Sequence, residues 1–146
     1  MIALIQRIAR AKVTVEGAIV ASASRGTLAL IGITAADSVD TATRLLDKIL
    51  SYRIFADEAG KMNLDLRSIT GDLVLVPQFT LVAETDKGNR PGFSRGAPPQ
   101  QARALYTGLV ESAKALYPQV SSGIFGADMQ VELVNDGPAT FWLETQ

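Results

Sequence analysis

Near its C-terminal end the chain sets a Gly137-Pro138 step inside what otherwise reads as one strand, Met129 to Val134 before it and Thr140 to Leu143 after it. Proline has no N–H to give a strand ladder, so it belongs at a sheet edge or a bulge and not in a central strand. The glycine before it opens backbone conformations closed to other residues. An X-Pro bond is also where a cis peptide can occur in a folded chain. Asn135-Asp136-Gly137-Pro138 has the composition of a turn between two strands as well. On either reading the final β region is interrupted here.

The remaining order of elements follows from periodicity. Residues 2–15 read as a strand in which Arg10, Lys12 and Thr14 share one face and Ala11, Val13 and Val15 the other. Glu16-Gly17-Ala18 is a turn, Ile19-Val20-Ala21 a strand, Arg25-Gly26 a turn, and Thr27–Ile33 a buried strand. Together they predict an antiparallel meander. A helix begins at Asp37 or Ser38, both good N-caps. Its apolar face is Val39, Ala42, Leu45, Leu46, Ile49 and Leu50. Arg53-Ile54-Phe55 reads as a short strand, and residues 72–83 as a central strand that runs through Pro77, Gln78, Phe79 and Thr80. Residues 84–97 form a polar loop. A second helix starts at Pro98-Pro99, with Ala102, Leu105, Tyr106, Leu109, Val110, Ala113 and Leu116 on its buried face. From about Ile124 to Glu144 the pattern is β again. The expected architecture is α+β over a single domain, residues 1–146: an antiparallel, barrel-like sheet with two main helices.

Composition removes whole classes of chemistry. The 146 residues contain no cysteine and no histidine. Disulfides, thiolate nucleophiles, Ser-His-Asp triads and histidine metal sites are therefore excluded. An enzyme with this sequence works without a side chain that ordinarily titrates near neutrality. No apolar run is long enough to cross a bilayer, and residues 1–7 lack the features of a signal peptide. The cytoplasm is the expected compartment. The formal net charge of −1 gives no global attraction for nucleic acid, so any RNA contact needs a local patch or a shaped pocket, and DNA is not an expected partner.

Three groups of residues invite chemistry. Gln78, Phe79 and Thr80 follow an apolar strand and a proline; where such a strand bends, successive N–H groups are left free to meet a developing oxyanion, worth about 10²–10³ in rate per donor. The alternative is a plain strand with Phe79 in the core. Thr80 has a hydroxyl but no histidine to activate it. Lys87, Arg90 and Arg95 form a basic loop suited to phosphates or simply to solvent. Asp128, Glu132 and Asp136 fall at even spacing in a strand, which predicts one exposed face and not a metal site. No metal and no cofactor are expected.

Seven stretches, in order, resemble the D-aminoacyl-tRNA deacylase family nearly end to end. They are Met1–Arg7, Tyr52–Phe55, Lys61–Leu64, Gln78–Leu81, Lys87–Pro91, Phe125–Met129 and Val134–Pro138. The resemblance implies a homodimer with its active sites at the subunit interface. It implies a cis Gly137-Pro138 step that enters the partner's site, turns its carbonyls to the substrate's amino group and leaves no room for an L side chain. Arg7 matches the residue that braces that step. Gln78, Phe79 and Thr80 match the motif that holds the ester and its oxyanion, and Phe125 and Met129 the wall near the terminal adenosine. Two positions depart from the family pattern: Pro77 stands where serine is usual, and Ala139 where valine is usual.

The function implied is hydrolysis of the ester in D-aminoacyl-tRNA, with glycyl-tRNA also accepted because glycine has no Cβ. Such an ester is already activated and carries a vicinal 2′-hydroxyl. Positioning and backbone stabilisation then suffice, which accounts for the missing histidine. Two other readings stand beside it: a sister deacylase with a trans Gly-Pro step that acts on L-alanyl-tRNA, and a non-enzymatic nucleic-acid-binding module of the same fold.

Overall fold

A computed structural model describes residues 1–146. The chain forms β1 (Ile2–Val15), β2 (Ala18–Ala23), β3 (Gly26–Gly32), α1 (Val39–Ser51), β4 (Phe55–Ala56), β5 (Met62–Leu64) and β6 (Asp72–Pro77). A 3-10 turn (Phe79–Val82), α2 (Pro99–Leu116), β7 (Val120–Ser122) and β8 (Gln130–Glu144) complete it. The short strand expected at Arg53-Ile54-Phe55 lies at Phe55–Ala56, paired with β5 in a separate small ribbon. The last β region divides into β7 and β8, so residues 124–129 are a connection and not strand.

The first strands do not form a simple meander. β1 pairs antiparallel with β3 along residues 2–8 and with β2 along residues 11–15, and β8 runs antiparallel to it over most of its length. A 14-residue strand is long enough to take two partners one after the other. Beyond β3 the sheet continues through β6 to β7, and both of these pairings are parallel. The sheet is therefore mixed where the sequence predicted an antiparallel one. The cause is the connections: α1 lies between β3 and β6 and α2 between β6 and β7, and a helical crossover joins parallel strands.

β3 and β6 are apolar nearly throughout, which is the pattern of strands covered on both faces. On one face Ala29, Ile31, Leu73 and Leu75 join a core with both helices, including Leu45, Ile49, Tyr106 and Leu109. On the other, Leu28, Val74 and Val76 pack with Ile8, Ala11, Val13 and Ala21. The outer strands β2 and β7 approach each other, where the Ser121 hydroxyl donates to the Ser22 carbonyl at 3.5 Å, and the sheet curls into a nearly closed barrel.

Ser38 caps α1 through a capping box: its hydroxyl accepts the Thr41 N–H, and the Thr41 hydroxyl accepts the Ser38 N–H at 2.9 Å. Asp37 turns inward, accepting the Thr34 N–H at 2.7 Å and pairing with the Met1 amino group. Five of the six apolar positions expected on α1 are buried; Val39, the first helical residue, is exposed. Each fully buried Leu or Ile of that stripe contributes about 1.5–3 kcal/mol. On α2 the expected face is buried from Ala102 to Ala113, but Leu105 is half-buried and Leu116 is exposed. Tyr117 takes the buried place at that end, with its hydroxyl donating to the Gly71 carbonyl at 2.5 Å.

Candidate active site

The parallel strands β3, β6 and β7 end at Gly32, Pro77 and Ser122, along one edge of the sheet. In parallel sheets ligand crevices form outside the carboxyl ends of the strands. A cleft of about 500 Å³ opens there, lined by residues that include Pro77, Gln78, Phe79, Ala102, Phe125 and Met129. A smaller hollow of about 240 Å³ shares Pro77, Gln78, Phe79 and Phe125 and adds Phe93.

The segment after β6 departs from the expected continuous strand. The ladder stops at Pro77, the Gln78 N–H still reaches the Ile31 carbonyl at 2.7 Å, and the chain then tightens into the 3-10 turn. Phe79 is consequently not a core residue: it is 65% exposed, with its ring 5.2 Å from that of Phe93. Phe93 is a cleft residue with no signal in the local sequence, because it sits in a polar loop. The first acceptor of the turn is the Gln78 carbonyl, which takes the Leu81 N–H at 3.2 Å. The N–H groups of Phe79 and Thr80 come before that bond and are not used by the turn. Phe79 lines the cleft, and Thr80, exposed, lines neither hollow but follows directly; two consecutive backbone donors beside an apolar cleft are the raw material of an oxyanion hole. The Gln78 amide donates to the Thr80 hydroxyl and ties the two side chains together.

Phe125 and Met129, half-buried, form another part of the wall. A Cβ on Gly123 would lie 2.7 Å from the Met129 sulfur, so the absence of a side chain there lets Met129 settle against the end of β6. Tyr106 of α2 secures this wall from beneath. Its hydroxyl lies 2.9 Å from the Leu75 carbonyl and 3.2 Å from the Gly123 carbonyl, and burial pushes its pKa well above the usual phenol range.

Gly137 and Pro138 stand apart from this cleft, and no residue of 135–140 lines either hollow of the same protomer. In β8, Asn135 pairs opposite Ile8 and Thr140 opposite Gln6, so residues 136–139 bulge from the ladder. The Gly137-Pro138 peptide bond is cis, and both residues are exposed. Gly137 has φ +119°, and a Cβ on it would lie 2.5 Å from Arg7 Nη2. The Arg7 side chain is 14% exposed, and two of its three nitrogens have partners. Its Nη1 donates to the Ile54 carbonyl at 2.7 Å, and its Nε lies 3.1 Å from the Asp136 carbonyl and 3.2 Å from the Asp136 carboxylate. Asn135 holds the base of the bulge, its amide donating to the Arg7 carbonyl at 3.0 Å and to the Ala139 carbonyl at 2.9 Å. The sequence offered Asn135 only as a turn residue; the long-range bond to Arg7 is what makes it a clamp.

Lys87, Arg90 and Arg95 are exposed as expected and surround a surface depression of about 340 Å³, but Glu84 and Asp86 share it and temper its charge. Asp128 precedes β8 and does not lie in it. Glu132 pairs with Lys12 at 3.0 Å and Asp136 with Arg7, so two of the three carboxylates considered as metal ligands serve local ion pairs.

This fold carries a cleft with apolar walls, main-chain N–H groups beside it and no ionisable residue in its lining. The chain belongs to the D-Tyr-tRNA(Tyr) deacylase family, whose sequence profile matches residues 4–144. It is 56% identical over 141 residues to the D-aminoacyl-tRNA deacylase of Ectopseudomonas mendocina (strain ymp), covering 97% of each chain. It is 53% identical to that of Pectobacterium atrosepticum, covering 99% of this chain and all of the relative. Among solved structures, the c-Myc DNA Unwinding Element Binding Protein superposes with a TM-score of 0.95 at 37% identity, over 100% of this chain and 99% of that one. A probable eukaryotic D-amino acid tRNA deacylase shares the fold at a TM-score of 0.88 and 16% identity, over 99% and 98% of the two chains. No helix is long and apolar enough to cross a membrane.

Proposed function

We propose that this protein hydrolyses the ester of D-aminoacyl-tRNA, and of glycyl-tRNA, in the cleft at the carboxyl edge of β6. The observation that carries this reading is the 3-10 turn at Phe79–Val82, which sets two free N–H groups beside an apolar cleft with no charged lining residue. Such a site supplies no general base, and an aminoacyl ester demands little. The acyl group is activated, the Phe79 and Thr80 N–H groups receive the oxyanion, and the vicinal 2′-hydroxyl of the ribose assists proton transfer. Gln78 keeps Thr80 in place, while Phe125 and Met129 receive the terminal adenosine.

In this proposal the active unit is a homodimer. Gly137 and Pro138 stand exposed and braced, away from their own cleft, and in the dimer they enter the cleft of the second copy. There their backbone meets the substrate amino group and fills the space an L side chain would need. A gate made of backbone reads configuration at Cα and ignores the rest of the side chain. Light scattering at micromolar concentration is expected to give twice the 15.5 kDa monomer mass; a monomer would end the shared-site reading.

The solved neighbour named for a DNA unwinding element supports a second reading, nucleic-acid binding without ester cleavage. The net charge of −1 and the carboxylates within the basic loop weigh against it. Parallel time courses on D-tyrosyl-, L-tyrosyl- and glycyl-tRNA separate these possibilities. The deacylase reading expects D-tyrosyl- and glycyl-tRNA to be consumed and L-tyrosyl-tRNA spared by at least about a hundredfold, on the order of 3 kcal/mol. Comparable rates on D- and L-tyrosyl-tRNA would remove the chiral gate, and no hydrolysis of any of them would leave the binding module.

A further inference from the structure

We infer that Arg103 is a phosphate-binding residue at the mouth of the cleft, one that holds the 5′-phosphate of the nucleotide whose acylated ribose lies within. The inference rests on the deacylase reading of the cleft and adds to it a cation that nothing in the family motifs points to.

Arg103 follows Ala102, a lining residue, on the first turns of α2. Its guanidinium carbon lies 5.0 Å from the centroid of the Phe125 ring. A Cβ placed on the neighbouring Gly126 would come within 3.3 Å of Arg103 Nη2, so the side chain rests against the very stretch that forms one wall. The guanidinium is therefore positioned, yet it has no acceptor. The four ion pairs of the chain use Met1, Arg7, Lys12 and Arg44, and Arg103 donates no hydrogen bond to any protein atom.

Arg7 behaves differently. Its Nη1 and Nε donate to Ile54 and Asp136, which makes it a structural brace. Arg103 is held by a ring face, which restrains the group without satisfying any of its N–H donors. A planar guanidinium with a free donor fork is matched to a phosphate, which it can engage through two parallel bonds. The need for such a group is local. None of the twelve residues lining the cleft is charged, and the chain as a whole carries a net charge of −1. Arg103, packed on the lining residues Phe125 and Gly126, places a positive charge beside this uncharged cleft.

The test uses two small substrates, D-tyrosyl-adenosine and D-tyrosyl-adenosine 5′-phosphate, with the wild-type protein, Arg103→Met and Arg103→Lys. The wild type is expected to prefer the phosphorylated compound about tenfold in kcat/KM, the whole difference lying in KM. Arg103→Met closes that gap by slowing the phosphorylated compound, and Arg103→Lys restores part of it, as a point charge without the fork would. An equal slowing of both compounds in Arg103→Met would show that the residue only steadies Phe125 and would overturn the inference. So would a wild-type protein indifferent to the phosphate. With D-tyrosyl-tRNA as substrate, Arg103→Met is expected to flatten the log–log salt dependence of KM by about 0.7–0.9; an unchanged slope counts against the phosphate interaction. Failure to hydrolyse D-tyrosyl-tRNA at all is a different result, and it removes the deacylase reading together with this extension of it.

Discussion

The cleft beside β6 and the bulge at Asn135–Thr140 solve opposite problems. The cleft is concave, and its shape comes from where regular elements stop: β6 at Pro77, α2 beginning at Pro99, β7 ending at Ser122. Its polar groups are main-chain donors left over at the start of a tight turn. The bulge is convex and exposed, and it keeps its shape because side chains from other parts of the chain grip it. Arg7 reaches it from β1 and also bonds the Ile54 carbonyl, while Asn135 closes its base. A cleft formed by chain ends tolerates changes in its side chains. A projection held by two side chains does not tolerate the loss of either.

That difference ranks the expected effects of mutation. The largest is at Gly137. Alanine there must push Arg7 aside and adopt a φ that costs about 1–3 kcal/mol. On the proposed reading, hydrolysis of D-tyrosyl-tRNA falls by about a hundredfold, on the order of 3 kcal/mol. A near-wild-type rate in a folded Gly137→Ala protein would show that the bulge takes no part. Arg7→Ala comes next. Removing the bonds to Ile54 and Asp136 is expected to lower stability by about 2 kcal/mol in chemical denaturation. It is expected to reduce D-over-L discrimination about tenfold before the rate on the D substrate declines. If the rate falls and discrimination holds, Arg7 supports the fold and not the gate.

The cleft is expected to be more forgiving. Thr80→Ala retains most activity because the donor that matters is its N–H, which alanine keeps; removing a true oxyanion donor costs about 10²–10³ in rate. A fall on that scale in a folded Thr80→Ala protein would restore the hydroxyl as a participant. Replacing the substrate's terminal 2′-hydroxyl by hydrogen is expected to slow the reaction more than Thr80→Ala does. The smallest effect is at the loop. Lys87→Ala/Arg90→Ala is expected to flatten the salt dependence of tRNA binding by about 0.7–0.9 for each phosphate that the loop no longer neutralises. An unchanged slope would take the loop off the RNA surface.

Local pattern made much of this architecture legible. The two helices, the N-cap at Ser38 and most of their buried faces follow from apolar spacing and capping chemistry, because a helix stripe buries wherever a partner surface exists. Leu116 misled because it continues the apolar period to the last residue of α2, where the next residue, the C-cap Tyr117, takes the buried place. The parallel pairing of β6 with β3 fits the continuous apolar runs of those two strands, but only the helical crossovers make that signal readable, and β7, Val120-Ser121-Ser122, carries no such run. Phe79 shows the same limit, since an apolar residue after a strand looks like core until the chain turns.

The sequence by itself determined the absence of histidine and cysteine chemistry, the order of strands and helices, and the placing of a Gly-Pro step where no ladder can continue. Those properties are local, or are matters of inventory, and need no neighbour to be true. Tertiary structure alone decided that Arg7, matched by resemblance to the brace of the Gly-Pro step, also bonds Ile54, that Asn135 clamps the bulge, that Phe93 joins Phe79, and that Arg103 rests on Phe125. Each of those pairings joins residues whose separation along the chain carries no period, so only the packing of the sheet and helices brings them within reach.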